Sequence, residues 1–363
     1  MRKKTKRIIG YAVIATIIVA LTFLGAFVEK TPLYERAIVL SMALDKGDAG
    51  VKLSIQTIVN GNNTSPGSAS AYDVVEGEGK NLSDALDAVA KKSGLKPSYA
   101  HCELIIVGGD FFEEGFDEAA KVLFEKTVVQ DNVHVIATEG KAADMIKSRV
   151  PVVSTPSEYV TNDLKIYADE GSSCVVTLKD YVQRLYDGGT KILTCAVKEK
   201  ANPPTSSETG EQKGEFFFFD LDNVAVKDKD GNLHFYGKEI SYGRNLVESK
   251  KGQALNYTDG DKQVTASVIS KTQTTKYSKD SSIATSMIYY VKVDESTGFD
   301  DDPKELADFL QRKISFSIKN AYEVCARDNA DVFSLESAYL KRYGTALSFK
   351  DINWSLIVKV TIR

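Results

Sequence analysis

One run of residues limits what this chain can become. From Ile8 to Val28, 21 residues pass without a charged side chain. A helix rises about 1.5 Å per residue, so such a segment reaches roughly 31 Å, the thickness of a hydrocarbon core. It has no polar face, which argues against a helix half-buried in a soluble protein. Arg2, Lys3, Lys4, Lys6 and Arg7 precede it, and Glu29 and Lys30 follow. Five positive charges on one flank put that flank in the cytoplasm and send the rest of the chain outward.

The end of the run, "LTFLGAF" over residues 21–27, looks like the lead-in to a lipid-modified cleavage site. Phe27 stands where the acceptor cysteine would be, and the first cysteine in the chain is Cys102. A secretory signal peptide has a shorter apolar core, about 7–15 residues, and a small-x-small site that is missing here. The expectation is an uncleaved signal anchor. Residues 1–30 form a basic cytoplasmic tail and one transmembrane helix, and residues 8–28 contact the bilayer.

The rest of the 363-residue chain exceeds one ordinary small domain. Without the five tail cations, 41 basic residues face 50 acidic ones, so the exported part carries a charge near −9. That argues against nucleic acid, and against an anionic lipid surface, as the main partner. The cysteines, Cys102, Cys174, Cys195 and Cys325, are widely spaced with no C-x-x-C. An exported compartment permits disulfides, but Cys102 and Cys195 lie in apolar strand-like runs and Cys325 on an apolar helical stripe. Buried free thiols are expected.

"AIVLSMALD" and "VKLSIQTIV" are β-rich runs joined by a Gly-Asp turn, which reads as a hairpin. A polar loop follows at 62–70, then the extended run "YDVVEGEG". In "NLSDALDAVAKK", Leu82, Leu86 and Val89 form a helical stripe behind Asn81 as N-cap. "HCELIIVG" reads as a buried strand, and Asp110 with Glu113 as a capping pattern opening a helix that continues through "FDEAAKVLFEK". "NVHVIATE" is the next strand, completing a β-α-β unit, and "KAADMIKS" a short helix. These define an N-terminal α/β domain over 31–150.

"PVVSTP" (151–156) marks a boundary. A small middle domain with a linker is expected over 151–212, from a helix at 157–168, a helix around "LKDYVQRLYDGG" and the strand "KILTCAVKE". Residues 200–215, rich in Pro, Ser and Glu, read as a flexible loop. The chain is then largely β over 213–363, with a "KDGN" hairpin turn and two long alternating runs. Asp302, Pro303 and Glu305 form a strong helix start. Leu306, Phe309, Leu310, Ile314, Ile318, Ala321 and Cys325 give one apolar stripe after it. "INWSLIVKVTIR" closes the chain as a strand. The expected fold class is mixed α+β. A transmembrane helix precedes a three-domain extracytoplasmic module, in which a C-terminal antiparallel sheet packs on a long helix.

No catalytic constellation emerges. His101 and Cys102 are neighbours, and adjacent strand residues point to opposite faces, so they form no dyad. His134 sits in an apolar strand as a core histidine. His234 follows a hairpin turn, as an edge or surface residue. Asp228, Asp230 and Asn232 alternate like calcium ligands but lack the downstream bidentate Glu, and a turn explains them. Asp300, Asp301 and Asp302 read as a loop and cap. "VGGD" at 107–110 is neither a dinucleotide nor a Walker motif, and neither G-x-S-x-G nor H-E-x-x-H occurs. No catalytic, metal or cofactor residue is expected.

From "EGEGKNLSDALDAVAKK" through "HCELIIVGGDFFEEGFDEAAKVLFEK" to "NVHVIATEGKAADMI", the chain resembles the N-terminal part of the C subunits of spore germinant receptors, the Ger(x)C family. The shared pattern is a Gly-ended strand, a helix, His101 opening an apolar strand, an acidic helix containing Gly115, a strand ending in "ATEG", and an Ala-rich short helix. The hairpin "ERAIVLSMALDK" fits the family's start. "FYGKEISYGRNLVESKKGQALNYTDGD" and "NADVFSLESAYLKRYG", with the last strand, look like its C-terminal domain, so the resemblance covers most of the region from Tyr34 to Arg363. It implies a non-catalytic, three-domain protein on the outer surface of the spore inner membrane, assembled with the A and B membrane subunits and needed for nutrient germination. The chain departs from the pattern twice. Phe27 replaces the usual lipid-bearing cysteine, and "FEKTVVQDN" lacks the arginines common there. An envelope scaffold or substrate-binding protein of another pathway is the alternative.

Overall fold

Alternating apolar residues make the hairpin real. β1 (Arg36–Gly47) pairs antiparallel with β2 (Gly50–Ile58), and β2 with β3 (Tyr72–Gly79). A computed structural model describes residues 11, 13–20, 36–58, 72–126, 128–151, 153–201, 215–249, 251–299 and 302–363. Further strands are β4 (Lys96–Ser98), β5 (Leu104–Gly108), β6 (His134–Thr138), β7 (Lys191–Ala201), β8 (Phe216–Lys227) and β9 (Leu233–Tyr236). Together they form one nine-stranded sheet, ordered β3-β2-β1-β5-β6-β7-β8-β9, with β4 beside β1. The central strands β1, β5, β6 and β7 run parallel. β5 is buried at every position, which is why "LIIVG" is an unbroken apolar run.

The helices of this sheet are α1 (Leu82–Ser93), α2 (Gly109–Glu114), α3 (Phe116–Glu125), α4 (Ala142–Ile146), α5 (Pro156–Asp169) and α6 (Leu178–Tyr186). On one face α1, α2, α3 and α6 pack on Met42, Leu44, Ile105, Val135 and Leu193. On the other, α4 and α5 pack on Ala43, Leu104, Ile106, Ile136 and Phe219. Asn81 caps α1 as expected, accepting from the Asp84 amide at 3.0 Å. Asp110 does not cap α2. That helix begins at Gly109, so Asp110 already lies in its first turn, and Gly108 is the N-cap.

α7 (Lys238–Glu248) leads into a second sheet of β10 (Ala254–Asp259), β11 (Lys262–Tyr277), β12 (Ser282–Thr297) and β13 (Asn353–Ile362). α8 (Pro303–Arg327) crosses this sheet, and α9 (Leu335–Tyr343) follows. Asp302 caps α8 through the Lys304 amide at 2.9 Å, and all seven residues of its expected stripe are buried. The sheet is not wholly antiparallel. β13 pairs parallel with β12, because the chain crosses over through α8 and α9 before returning. The architecture is thus mixed α+β with two sheets. The larger sheet spans both expected boundaries, since β7 pairs with β6 on one side and, across 202–214, with β8 on the other.

All four cysteines are free and buried. Among the described residues no helix is long and apolar enough to cross a membrane. Of the expected span 8–28, residues 13–20 are helical and exposed, and most of the rest lies outside the described residues, as do the loop at 62–70, residues 202–214, Asp300 and Asp301.

Candidate functional site

Where the two sheets meet, α6, the turn into β7, α7 and α9 enclose a cleft of about 400 Å³. The helices aim particular side chains there. α6 buries Leu178, Tyr181 and Val182 against the first sheet, and Arg184 lines the cleft. α7 is wedged between β8 and α8, packing Ile240, Leu246 and Val247 into the core of the second sheet. This leaves Arg244 8% exposed in the cleft wall. Thr190 lines it from the turn before β7, and Ser334, Ser337 and Lys341 from the α9 side.

The polar atoms are unequally satisfied. Arg244 donates Nη1 to Asn245 Oδ1 at 3.1 Å and toward Cys174 Sγ at 3.6 Å. Its Nε is buried without a partner, as are Nη1 of Arg184 and Oγ1 of Thr190. Burial lowers the pKa of Arg184 below the ordinary arginine value, and repulsion from nearby Arg244 lowers it further. The two carboxylates in the lining already have partners, and the partner of Asp187 is Lys341 of the same cleft. Asp180 accepts from the Thr177 amide and hydroxyl at 3.1 and 2.7 Å, and Asp187 from Lys341 at 2.8 Å. The cleft therefore presents positive charge and unused donors, which suits a hydrogen-bond acceptor of negative charge.

The residues singled out from sequence lie apart from it. His101 ends a 3-10 turn, Tyr99–His101, and β5 starts only at Leu104, so neither His101 nor Cys102 is a strand residue. The turn arises because the Cys102 amide bonds back to the Tyr99 carbonyl. Cys102 is buried, its thiol donates toward the Leu104 carbonyl at 3.5 Å, and burial pushes its pKa up to about 12. His134 opens β6 half-buried, and burial lowers its pKa. Asp228 closes the β8–β9 turn, accepting from the Asn232 amide at 2.8 Å and side chain at 2.9 Å, with His234 Nε2 at 3.4 Å. Among the described residues no group of three or more His, Cys, Asp or Glu could hold a metal ion.

Arg184, Thr190 and Arg244 were not singled out. Each stands alone in its own segment, and only the meeting of α6, α7 and α9 brings them together. No local signal marks them.

Residues 29–198 match the family described as the spore germination protein N-terminal domain, of GerAC type. Among solved structures, the crystal structure of the GerBC protein is similar to this chain, with a TM-score of 0.50 at 12% identity. The match covers 88% of this chain and 96% of that one, and at such identity it is a likeness of fold. A search of curated proteins gave no match. Residues 29–198 thus match a GerAC-type spore germination protein N-terminal domain, within a chain whose fold is similar to that of GerBC.

Proposed function

We propose that this protein is the non-catalytic, membrane-anchored C subunit of a nutrient germinant receptor. The observation that carries the reading is the family match over residues 29–198. The cleft between the sheets adds support, since it gathers arginines and hydroxyls with no histidine and with its carboxylates already engaged. Such a lining serves binding better than proton transfer or nucleophilic attack.

The partners are the receptor's A and B membrane subunits, and the bulk of the chain stands outside the spore inner membrane. Residues 8–28 supply the anchor in place of a lipid on cysteine. A transmembrane helix holds more firmly than one or two acyl chains. Tethering raises the effective concentration of neighbouring membrane proteins, so modest contacts suffice for assembly. Residues 31–150, 151–212 and 213–363 act as units of one module, with the first sheet common to all three.

Deletion of the gene tests this reading. Spores should form normally and germinate normally with non-nutrient triggers, while responding weakly to one class of nutrient. Normal response to every nutrient, with no paralogue expressed, overturns it.

A further inference from the structure

We propose that the cleft between α6, α7 and α9 binds an oxyanion, the carboxylate or phosphate group of a small soluble molecule. The inference stands on the geometry of the cleft and does not need the receptor reading.

Three residues lining one concavity each carry a buried donor without a partner: Arg244 at Nε, Arg184 at Nη1 and Thr190 at Oγ1. A buried polar group left unpaired works against folding, and a charged one more so. Two guanidinium groups close enough to repel add to that cost. The obvious internal remedy would be a carboxylate bonded between them, yet Glu248 and Asp331 act on Arg184 by charge alone, Asp180 is spent on Thr177 and Asp187 on Lys341. An oxyanion from outside supplies what the chain withholds. It offers several lone pairs, accepts from two guanidinium groups at once, and cancels their repulsion.

Size and position favour a small molecule over a peptide. A cleft of about 400 Å³ falls at the small end of ligand sites, and such sites favour seams between structural units. Ser334 and Ser337 line the same cleft and can meet hydroxyl or amine groups on the remainder of the ligand. Arg184 belongs to the first sheet and Ser337 to the helix after the second sheet's long helix, so one bound molecule ties the two together.

The full chain in detergent is titrated calorimetrically with succinate and, separately, with inorganic phosphate, at constant ionic strength. Thermal unfolding is followed in parallel. One of the two anions should bind saturably and raise the melting temperature, which identifies the carboxylate or the phosphate source. Arg184→Met should weaken that binding about tenfold or more, about 1.4 kcal/mol. Without ligand the same variant should melt no lower than the native protein, because a buried unpaired cation has gone. Thr190→Val, which keeps the shape and loses one donor, should weaken binding as well, and it decides the matter alone if Arg184→Met does not fold. Absence of saturable binding by both anions overturns the proposal. So does binding that neither variant weakens.

Discussion

Tyr181 donates its hydroxyl to Oδ1 of Asp117 at 2.6 Å, joining α6 to α3 across the outer layer of the first sheet. Oδ2 of the same carboxylate holds the ammonium of Lys227 at 3.2 Å, and that lysine side chain is 7% exposed. Three elements distant in sequence thus depend on one carboxylate. Asp117→Ala should cost about 3–5 kcal/mol, because it leaves the buried Lys227 ammonium only the Phe112 carbonyl at 3.2 Å and also removes the contacts to Tyr181 and Lys191. Tyr181→Phe leaves the ion pair intact and should cost about 0.5–1.5 kcal/mol. Urea denaturation of the two variants checks the ranking.

Gly243 lies in the middle of α7, where a helix-former would ordinarily be preferred. A Cβ there would stand 2.6 Å from Ala321 Cβ and 2.6 Å from the Ser317 carbonyl oxygen of α8. The glycine is what lets α7 and α8 approach so closely. Alanine in an open helix gains about 1 kcal/mol over glycine. Overpacking a tight contact costs about 1–3 kcal/mol, and a helix carbonyl yields little. Gly243→Ala should therefore destabilise the protein, with the sign read from its denaturation midpoint.

Asp331 is buried after α8, accepting from the Phe333 amide at 3.1 Å and the Glu336 amide at 2.7 Å. Burial, the largest cause, raises its pKa to about 7, and the charge of Glu336 acts in the same sense. Glu336 is itself held by Lys229 at 2.9 Å. The folded state thus keeps a proton that the unfolded chain gives up near its ordinary value of 3.8. Between those two values the folded state binds more protons, so this group's share of stability falls as pH rises and levels off above about 7. Stability measured from pH 4 to pH 8 should fall more steeply for the native protein than for Asp331→Asn. The difference should be on the order of a few kcal/mol across the window.

The parts of this fold that were legible in the sequence are those with local causes. Asp302, Pro303 and the seven stripe residues announced α8, and every stripe residue is buried. The hairpin of β1 and β2 followed from alternation and its turn. α7 was missed because Gly237 gives it no side-chain cap, Gly243 interrupts it, and Ser241, Arg244 and Asn245 are buried among its apolar residues. Its reason for being helical is the packing on α8, which is not local. Strand direction was misjudged at β13 for a similar reason, since hydrophobic pattern carries no sign of direction and only the crossover through α8 sets it. The arginine-lined cleft is wholly tertiary. Arg184 looks like an ordinary helix-surface residue, and Arg244 lies in a stretch with no helical signal, until α7 and α9 fold beside α6.

In the role proposed above, this chain works as a subunit among the membrane proteins of a germinant receptor. Isolation of the tagged full-length protein from detergent-solubilised spore inner membranes, followed by identification of what remains bound after high-salt washing, tests it most directly. The expected result is the recovery of one A-type and one B-type receptor membrane subunit in constant proportion to this chain. Recovery of the chain alone from intact spore membranes, or its extraction without detergent, would contradict it.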